Sequence, residues 1–169
     1  MKNNILREQL LAAHLDLVDN ELVKGTSGNI SVRLKENILI KPSGVSYSNL
    51  KPKDFVVVSI KNNKVIQGTL KPSTDPQSHI EIYKNVPSVN SIIHTHSPYA
   101  TAFAVAGKSI PCYMTSIADE FGGDIPIGKM VDIGDEQIGI EFARVYKKFR
   151  SDVVLMKGHG IFAASVDLK

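Results

Sequence analysis

Residues 91–96 are the stretch that most constrains how this chain can fold. Their sequence, Ser-Ile-Ile-His-Thr-His, is an apolar run that ends in two histidines separated by one residue. Side chains at positions i and i+2 of an extended strand point to the same face of a sheet. The sequence therefore predicts a strand that carries His94 and His96 side by side at its end. Two neutral imidazoles in that arrangement can bind one divalent cation, provided that a third ligand comes from elsewhere.

His159 is the strongest candidate for that third ligand. It lies between Gly158 and Gly160, directly after a second apolar run at residues 153–156. If both runs are strands that end at the same edge of a sheet, the three imidazoles meet there. Three protein nitrogens with an open coordination position are typical of a catalytic metal site. The alternative is a chance His-x-His pair at a strand end, since so short a motif also occurs without a metal.

The other two histidines are predicted to have supporting roles. His14 falls on a predicted N-terminal helix and is interpreted as an ordinary surface or packing residue. His79 stands four residues after Asp75, so both would lie on one face of a helix. We expect His79 to brace the site or to pack, and not to bind the metal.

The composition favours one globular domain, and its slight positive charge would suit a small anionic substrate, although many proteins without such a ligand have a similar charge. Of the 169 residues, 43% are hydrophobic, and no apolar run reaches the length of a membrane span. The single cysteine, Cys112, and the lack of a recognisable targeting signal predict a cytoplasmic protein. The net charge is +3 and the lysines are dispersed, which argues against nucleic acid as the partner.

Hydrophobic periodicity predicts an antiparallel meander in the first half and alternating helices and strands in the second. The predicted elements, in order, are a helix at 4–23; strands at 30–34, 38–40, 55–60 and 65–66; a helix that starts at 71–76 and ends near Pro87; a strand at 91–96; a helix from Ser97 to Gly107; a strand-like segment at 110–114; an acidic loop at 118–123; a helix at 134–148; strands at 153–156 and 161–164; and the capped first turn of a helix at 165–169.

Three polar turns are candidates for binding an anion. They are Gly-Thr-Ser-Gly-Asn at residues 25–29, Lys-Pro-Ser-Gly at 41–44 and Lys-Pro-Ser-Thr-Asp-Pro at 71–76. Backbone N–H groups and hydroxyls in such turns, and the free N–H groups of a first helical turn, can hold a phosphate. Each turn taken alone is also compatible with a plain chain reversal.

These motifs, in this order and spacing, resemble the class II aldolase/adducin superfamily, in particular its L-ribulose-5-phosphate 4-epimerase and L-fuculose-1-phosphate aldolase branch. The resemblance covers nearly the whole chain. It rests on residues 25–29, 41–44, 72–75, 94–96 and 157–160. It implies an α/β fold of one domain, spanning residues 1–169, in which helices flank a central, largely antiparallel mixed β-sheet in three layers.

The resemblance also implies a site. In it, His94, His96 and His159 bind zinc with Asp75 beside the metal, and Asp75 and Asp119 exchange protons with the substrate. The residues implied to line the phosphate of a small phosphorylated sugar are Gly28, Asn29, Ser43, Gly44, Ser73 and Thr74. The aldolases that this chain resembles carry glutamate where it has Asp75, whereas the 4-epimerases carry aspartate, so the two aspartates favour the epimerase. Relatives of this kind are homotetramers, which predicts a homo-oligomer.

Two departures from the family pattern bear on activity. Ile117 stands where epimerases of this type have a histidine. The family continues beyond a position equivalent to Lys169 with a helical segment that contributes a tyrosine and, in epimerases, a further histidine. We therefore expect a truncated product with low or no turnover and with apolar surface uncovered on the sheet.

The leading hypothesis is a zinc-dependent enzyme that cleaves and re-forms a carbon–carbon bond by retro-aldol and aldol chemistry. An aldolase of the L-fuculose-1-phosphate type is the first alternative. A non-catalytic module like the adducin head is the second, and an unrelated metallohydrolase is the third.

Overall fold

The computed structural model describes residues 2–168. Two short 3₁₀ turns, Tyr47–Asn49 and Pro52–Asp54, connect β2 to β3. The helices are α1 Lys2–Asp19, α2 Pro76–Asn85, α3 Pro98–Ala106, α4 Thr115–Phe121 and α5 Gln137–Tyr146. The strands are β1 Asn29–Leu34, β2 Asn37–Ile40, β3 Val56–Ser59, β4 Val65–Gln67, β5 Ser91–Thr95, β6 Ile127–Gly128, β7 Val153–Met156 and β8 Ile161–Ser165.

All of these strands belong to one sheet, in the order β4-β3-β2-β1-β5-β8-β7-β6. Every neighbouring pair is antiparallel except β6 and β7, which run parallel. The first four strands follow one another across the sheet, so the predicted meander is confirmed. The predicted single α/β domain with a largely antiparallel mixed sheet is confirmed as well.

Helices cover both faces of the sheet, which completes the predicted three layers. Successive side chains of β2 point to opposite faces of the sheet. Ile38 and Ile40 pack in the larger core cluster on one face, and Leu39 packs in a second cluster on the other. The larger cluster contains the buried faces of α2 and α5, and the second contains α1. A third, smaller cluster joins α3 to β7 and β8. Burial of these apolar side chains from water is the main force that holds the layers together.

The strand order brings three loops to one end of β5. Since β5 is antiparallel to both β1 and β8, its C-terminal end lies beside the segments that enter those two strands. These segments are the 25–28 turn and the 157–160 turn. β2 is antiparallel to β1 and leaves the sheet at the same edge, which adds the 41–44 turn. The edge that carries the histidines is therefore also the edge that carries the polar turns.

Several local predictions were wrong. Residues 110–114 are not a strand; Ile110 makes one isolated bridge to Ile125, and Pro111 lacks the N–H that a ladder needs. The predicted acidic loop begins inside α4, whose acidic side chains face solvent, and the helix ends at left-handed Gly122. Residues 165–168 do not start a helix, because Ser165 still pairs with Ser91 in the sheet. Lys169 lies outside the described residues.

The face of the sheet between α1 and α4 carries an apolar groove of 440 Å³. Half-buried Ile93, Val153 and Ala163 form its floor, and Leu17 and Phe121 lie at its sides. Among residues 2–168, no helix combines the length and hydrophobicity needed to cross a membrane.

Candidate active site

The end of β5 brings two imidazoles into contact, as the strand periodicity predicts. The Nε2 atoms of His94 and His96 are 3.0 Å apart. His94 is buried between its sheet neighbours, opposite Asn29 on one side and Phe162 on the other. His96 follows the strand and is exposed.

His159 joins these two from the turn between β7 and β8. Its ring stacks on that of His94 with centroids 4.9 Å apart and meets the ring of His96 at 5.0 Å. One ring nitrogen from each histidine lies within 4.8 Å of the other two. Nitrogen ligands of a tetrahedral zinc ion stand about 3.3 Å apart, so a small closure of this triangle fits one ion.

The hydrogen bonds of the histidines direct bare nitrogens toward the centre of the cluster. His94 Nδ1 donates to the carbonyl of Ile161 at 2.9 Å, which leaves Nε2 of the neutral ring as an acceptor. His159 Nε2 is buried and has no hydrogen-bond partner. Buried polar atoms are nearly always paired, so an orphaned imidazole nitrogen beside two others is the donor set of a divalent metal.

Burial also keeps these rings in the form that binds metal. It lowers the pKa of His94 well below its ordinary value. Burial and the neighbouring His96 lower the pKa of His159 too, against the opposing effect of Asp75. Both rings are therefore neutral at pH 7, and a neutral imidazole is the ligand form.

Asp75 lies beside the cluster. It precedes α2 as the N-cap residue, but its carboxylate makes no capping hydrogen bond, and Oδ2 stands 3.7 Å from His94 Nε2. Burial raises the pKa of Asp75, and the nearby His159 and His96 act in the opposite direction. A half-buried carboxyl with these neighbours can contact a metal or carry a proton.

A layer of aromatic rings supports His94 from behind. Phe162 stacks on His94 at 4.2 Å, and His79 meets the other rings of this layer through an edge contact of 5.7 Å with Phe162. His79 is fully buried, and its Nδ1 is hydrogen-bonded to the Ser31 hydroxyl at 2.7 Å. His79 therefore braces the site through Phe162, the role that the sequence favoured.

Glycine at position 160 is a packing requirement of the cluster. A Cβ atom there would lie 2.6 Å from the carbonyl oxygen of Thr95 and 2.8 Å from Cδ2 of His96. Gly28 is similarly crowded: its φ is +72°, and a Cβ would lie 3.0 Å from the carbonyl oxygen of His94. The glycines on either side of β5 thus let the two turns approach the histidines.

A cavity of 520 Å³ opens beside the histidines. All six residues implied to line a phosphate are on its wall, together with Asp75 and the three histidines. The wall also contains Thr26, Ser27, Lys41 and Pro42, which belong to the predicted turns but were assigned no individual role. Ile133 and Gly134, which the sequence reasoning did not single out, complete it. The three polar turns and the imidazole cluster therefore surround one space.

Lys41 is the most informative of the wall residues that had no predicted role of their own. It is almost fully buried, and Nζ donates to the carbonyls of Thr26 at 3.3 Å and Pro42 at 3.4 Å. Burial lowers its pKa. A lysine at the end of an otherwise apolar strand was the available signal, because lysine is rarely buried without a reason. Ile133 and Gly134 reach the cavity from the loop before α5, and nothing in the sequence around them indicated this position.

Asp119 does not line this cavity. It is exposed on α4, where its backbone carbonyl accepts a hydrogen bond from Arg150. Ile117, the other position that bears on proton transfer, lies on the same helix. The structure therefore brings together every predicted site residue of the chain except Asp119.

The comparison with known families agrees with this geometry. Residues 8–169 match the model of the Class II Aldolase and Adducin N-terminal domain. The chain belongs to the class II aldolase and adducin family. The resemblance seen in the sequence is thereby confirmed.

Solved structures of the family superpose closely on the chain. An L-fuculose 1-phosphate aldolase is 30% identical with a TM-score of 0.85, covering 94% of this chain and 74% of its own. The L-fuculose-1-phosphate aldolase from Thermus thermophilus is 24% identical with a TM-score of 0.78 and covers 95% of this chain and 80% of its own. A sugar-phosphate aldolase from Thermotoga maritima is 19% identical with a TM-score of 0.79, covering 96% and 86%.

Replacing Gly160 with alanine is expected to abolish metal binding with little loss of the fold. The new methyl group must push the turn away from Thr95 and His96, which separates the ligand nitrogens. Bound metal, measured by mass spectrometry after dialysis, should fall at least about tenfold. Gly123→Ala is the control: its φ of +151° makes alanine strained there, but a Cβ meets no atom within 4 Å, so it reports how a general loss of stability affects metal retention. Metal retained at the wild-type level by Gly160→Ala would contradict the predicted crowding.

Proposed function

We propose that this class II aldolase relative is a zinc-dependent sugar-phosphate enzyme that works by retro-aldol and aldol chemistry, most like L-ribulose-5-phosphate 4-epimerase. One observation carries the proposal. Three imidazoles and a carboxylate form one wall of a cavity whose other walls are polar turns and a buried lysine. A metal-assisted reaction on a phosphorylated sugar needs a metal site and an anion-binding site in one space.

His94, His96 and His159 would hold the ion, with Asp75 beside it. The imidazole set favours zinc or a similar divalent transition metal over magnesium or calcium, which prefer oxygen ligands. When bound, the ion supplies electrophilic stabilisation of the negative charge that develops on the substrate's oxygens as the carbon–carbon bond breaks.

The phosphate group of the substrate would be bound by the turns opposite the histidines. Gly28 and Asn29 contribute from the first turn, and Ser43 and Gly44 from the second. Ser73 and Thr74 precede α2 and line the same space, where their hydroxyls would donate hydrogen bonds to the phosphate. Lys41 adds a positive charge close to these groups.

Asp75 is proposed to move the proton. As the bond between the α and β carbons of the ketose breaks, its electron pair moves toward the carbonyl oxygen. The hydroxyl on the β carbon becomes the aldehyde, and its proton passes to the Asp75 carboxylate. Re-forming the bond returns the proton. Burial raises the pKa of Asp75, which suits a group that must gain and lose a proton. If the aldehyde leaves, the enzyme is an aldolase; if it rotates and is attacked on its other face, the product is the epimer.

The aldolase alternative has its own support, since an L-fuculose 1-phosphate aldolase is 30% identical to this chain where the two align. Aspartate at position 75 favours the epimerase. The adducin-like alternative, a fold without chemistry, is opposed by the retained histidine cluster and its orphaned nitrogen.

Parallel assays of L-ribulose 5-phosphate and L-fuculose 1-phosphate distinguish these functions. The zinc-loaded protein is expected to epimerise the first and to cleave the second poorly or not at all.

Asp75→Asn should lower kcat by about 10²- to 10⁴-fold, because the proton acceptor is lost. Asp135→Asn, on an exposed loop, is the control. Turnover of neither sugar phosphate by the zinc-loaded protein would refute the proposed function, and full activity of Asp75→Asn would refute the role of Asp75.

Asp119 is proposed to act in the site of a second copy within a homotetramer, as the acid/base for the other face of the substrate. Its exposure on α4, away from its own cavity, leaves it accessible to a neighbouring chain. Closed oligomers repeat such a contact at every interface, so each site would receive one Asp119.

Mixed oligomers test this arrangement. Asp119→Asn and His94→Ala should each be inactive alone, and equal mixing after dissociation should restore about a quarter of wild-type activity, because some sites regain both groups. Glu120→Gln, an exposed neighbour of Asp119, is the control and should remain active. An inactive mixture would place Asp119 within its own chain's site, and an active Asp119→Asn would remove it from the mechanism.

A further inference from the structure

The backbone of residues 26–30 is held in place by two buried side chains from outside the cavity. This segment, called the cavity loop below, includes Gly28 and Asn29 and forms part of the cavity wall. Residues 26–28 are a polar turn and residues 29–30 begin β1, so the shape of the turn depends on where its backbone groups find hydrogen bonds.

His14 holds the end of the cavity loop. The ring is fully buried on the inner face of α1, and its Nε2 accepts the backbone N–H of Ile30 at 3.0 Å. Its Nδ1 donates to the carbonyl of Leu10 at 2.7 Å, which fixes the ring on its own helix. Burial lowers the pKa of His14 to about 4, so the ring remains neutral and keeps its acceptor nitrogen at neutral pH. The sequence left open that His14 is a surface residue, and that part of the prediction was wrong.

Tyr47 holds the middle of the cavity loop. Its hydroxyl lies 2.6 Å from the carbonyl oxygen of Ser27 and 3.2 Å from that of Gly28. Burial raises the pKa of Tyr47 to about 12, so the hydroxyl stays a donor. The His14 and Tyr47 rings are neighbours, with centroids 6.0 Å apart, and Lys41 Nζ lies 5.0 Å from the Tyr47 ring.

The two contacts matter because the cavity loop has little room to move. Asn29 is paired with His94 in the sheet, and its side-chain Oδ1 is buried without a partner. A shift of the loop would therefore displace Asn29 from the cavity wall and change the packing of Gly28 against the carbonyl of His94.

We propose that His14 and Tyr47 are positioning residues that hold the cavity loop in the shape that binds the anionic end of the substrate. The proposal rests on the proposed function for the identity of the anion, a phosphate ester. Neither residue lines the cavity, so each acts on the substrate only through the loop backbone.

Three variants separate hydrogen bonding from packing. His14→Leu and Tyr47→Phe fill nearly the same space without the acceptor or the hydroxyl. His14→Gln retains an acceptor at the end of a side chain of similar length and is the rescue. Tyr146→Phe is the matched control, because it also removes a tyrosine hydroxyl bond, to Asp152 at 3.0 Å, but far from the cavity loop on α5.

The zinc-loaded protein is measured in three ways: hydrogen exchange of the amides of residues 26–30, affinity for inorganic phosphate by calorimetry, and KM and kcat for L-ribulose 5-phosphate. His14→Leu and Tyr47→Phe should speed exchange in the loop and weaken phosphate binding by about tenfold, the effect of one lost buried hydrogen bond. KM should rise by a similar factor with kcat within about twofold. His14→Gln and Tyr146→Phe should resemble the wild type.

Phosphate affinity and loop exchange unchanged in both His14→Leu and Tyr47→Phe would overturn the proposal. So would equal losses in Tyr146→Phe, because a general loss of stability would then explain them. If His14→Leu fails to fold, Tyr47→Phe and His14→Gln decide the matter by the same readouts. A wild-type protein that binds neither phosphate nor the sugar phosphate refutes the proposed function instead. The hydrogen-exchange rate of the Ile30 amide, compared between the wild type and the variants, still decides whether His14 and Tyr47 hold the loop.

Discussion

The hydrogen bond from His94 Nδ1 to the carbonyl of Ile161 is the contact on which the site depends. It exists because β5 and β8 are antiparallel neighbours, so the start of β8 lies beside the end of β5. The bond fixes the tautomer of His94 and turns its bare Nε2 toward His96 and His159. Every other feature of the site is arranged around that nitrogen: the Phe162 and His79 rings behind it, Asp75 beside it and the cavity in front of it.

The strand order explains how distant segments of the chain reach one place. β1, β2 and β8 all meet β5 directly or through one neighbour with antiparallel register, so their polar turns share an edge. Helix α2 begins at the same edge and delivers Asp75. A glycine in each of the two turns nearest the histidines permits close approach, since side chains at Gly28 and Gly160 would collide with backbone or imidazole atoms. The cluster thus depends on the strand topology and on the absence of Cβ atoms at these glycines, as well as on the hydrogen bond that orients His94.

The sequence predicted those parts of the molecule that local rules govern. The His94 strand, the meander and the polar turns have clear periodicity or turn chemistry, and the structure has all of them. Prediction from the sequence failed where contacts between distant segments determine the local structure. α4 is a short helix, but its acidic residues led to the prediction of a loop. β6 has only two residues, and it forms because β7 lies beside it. The burial of His14 and Lys41 depends on packing between distant elements, which periodicity does not report. Asp119 was suggested by motif alone, and it lies on α4, outside the cavity of its own chain, which a local motif does not report.

Bound zinc per chain tests the central claim most directly, that three imidazoles from separate segments bind one ion. Purified protein is loaded with zinc, dialysed and measured by inductively coupled plasma mass spectrometry, beside the His94→Ala, His96→Ala double variant prepared in the same way. The account predicts about one zinc ion per wild-type chain and almost none in the double variant. Equal zinc in the two proteins would contradict it, because the metal would then be bound elsewhere or not specifically at all.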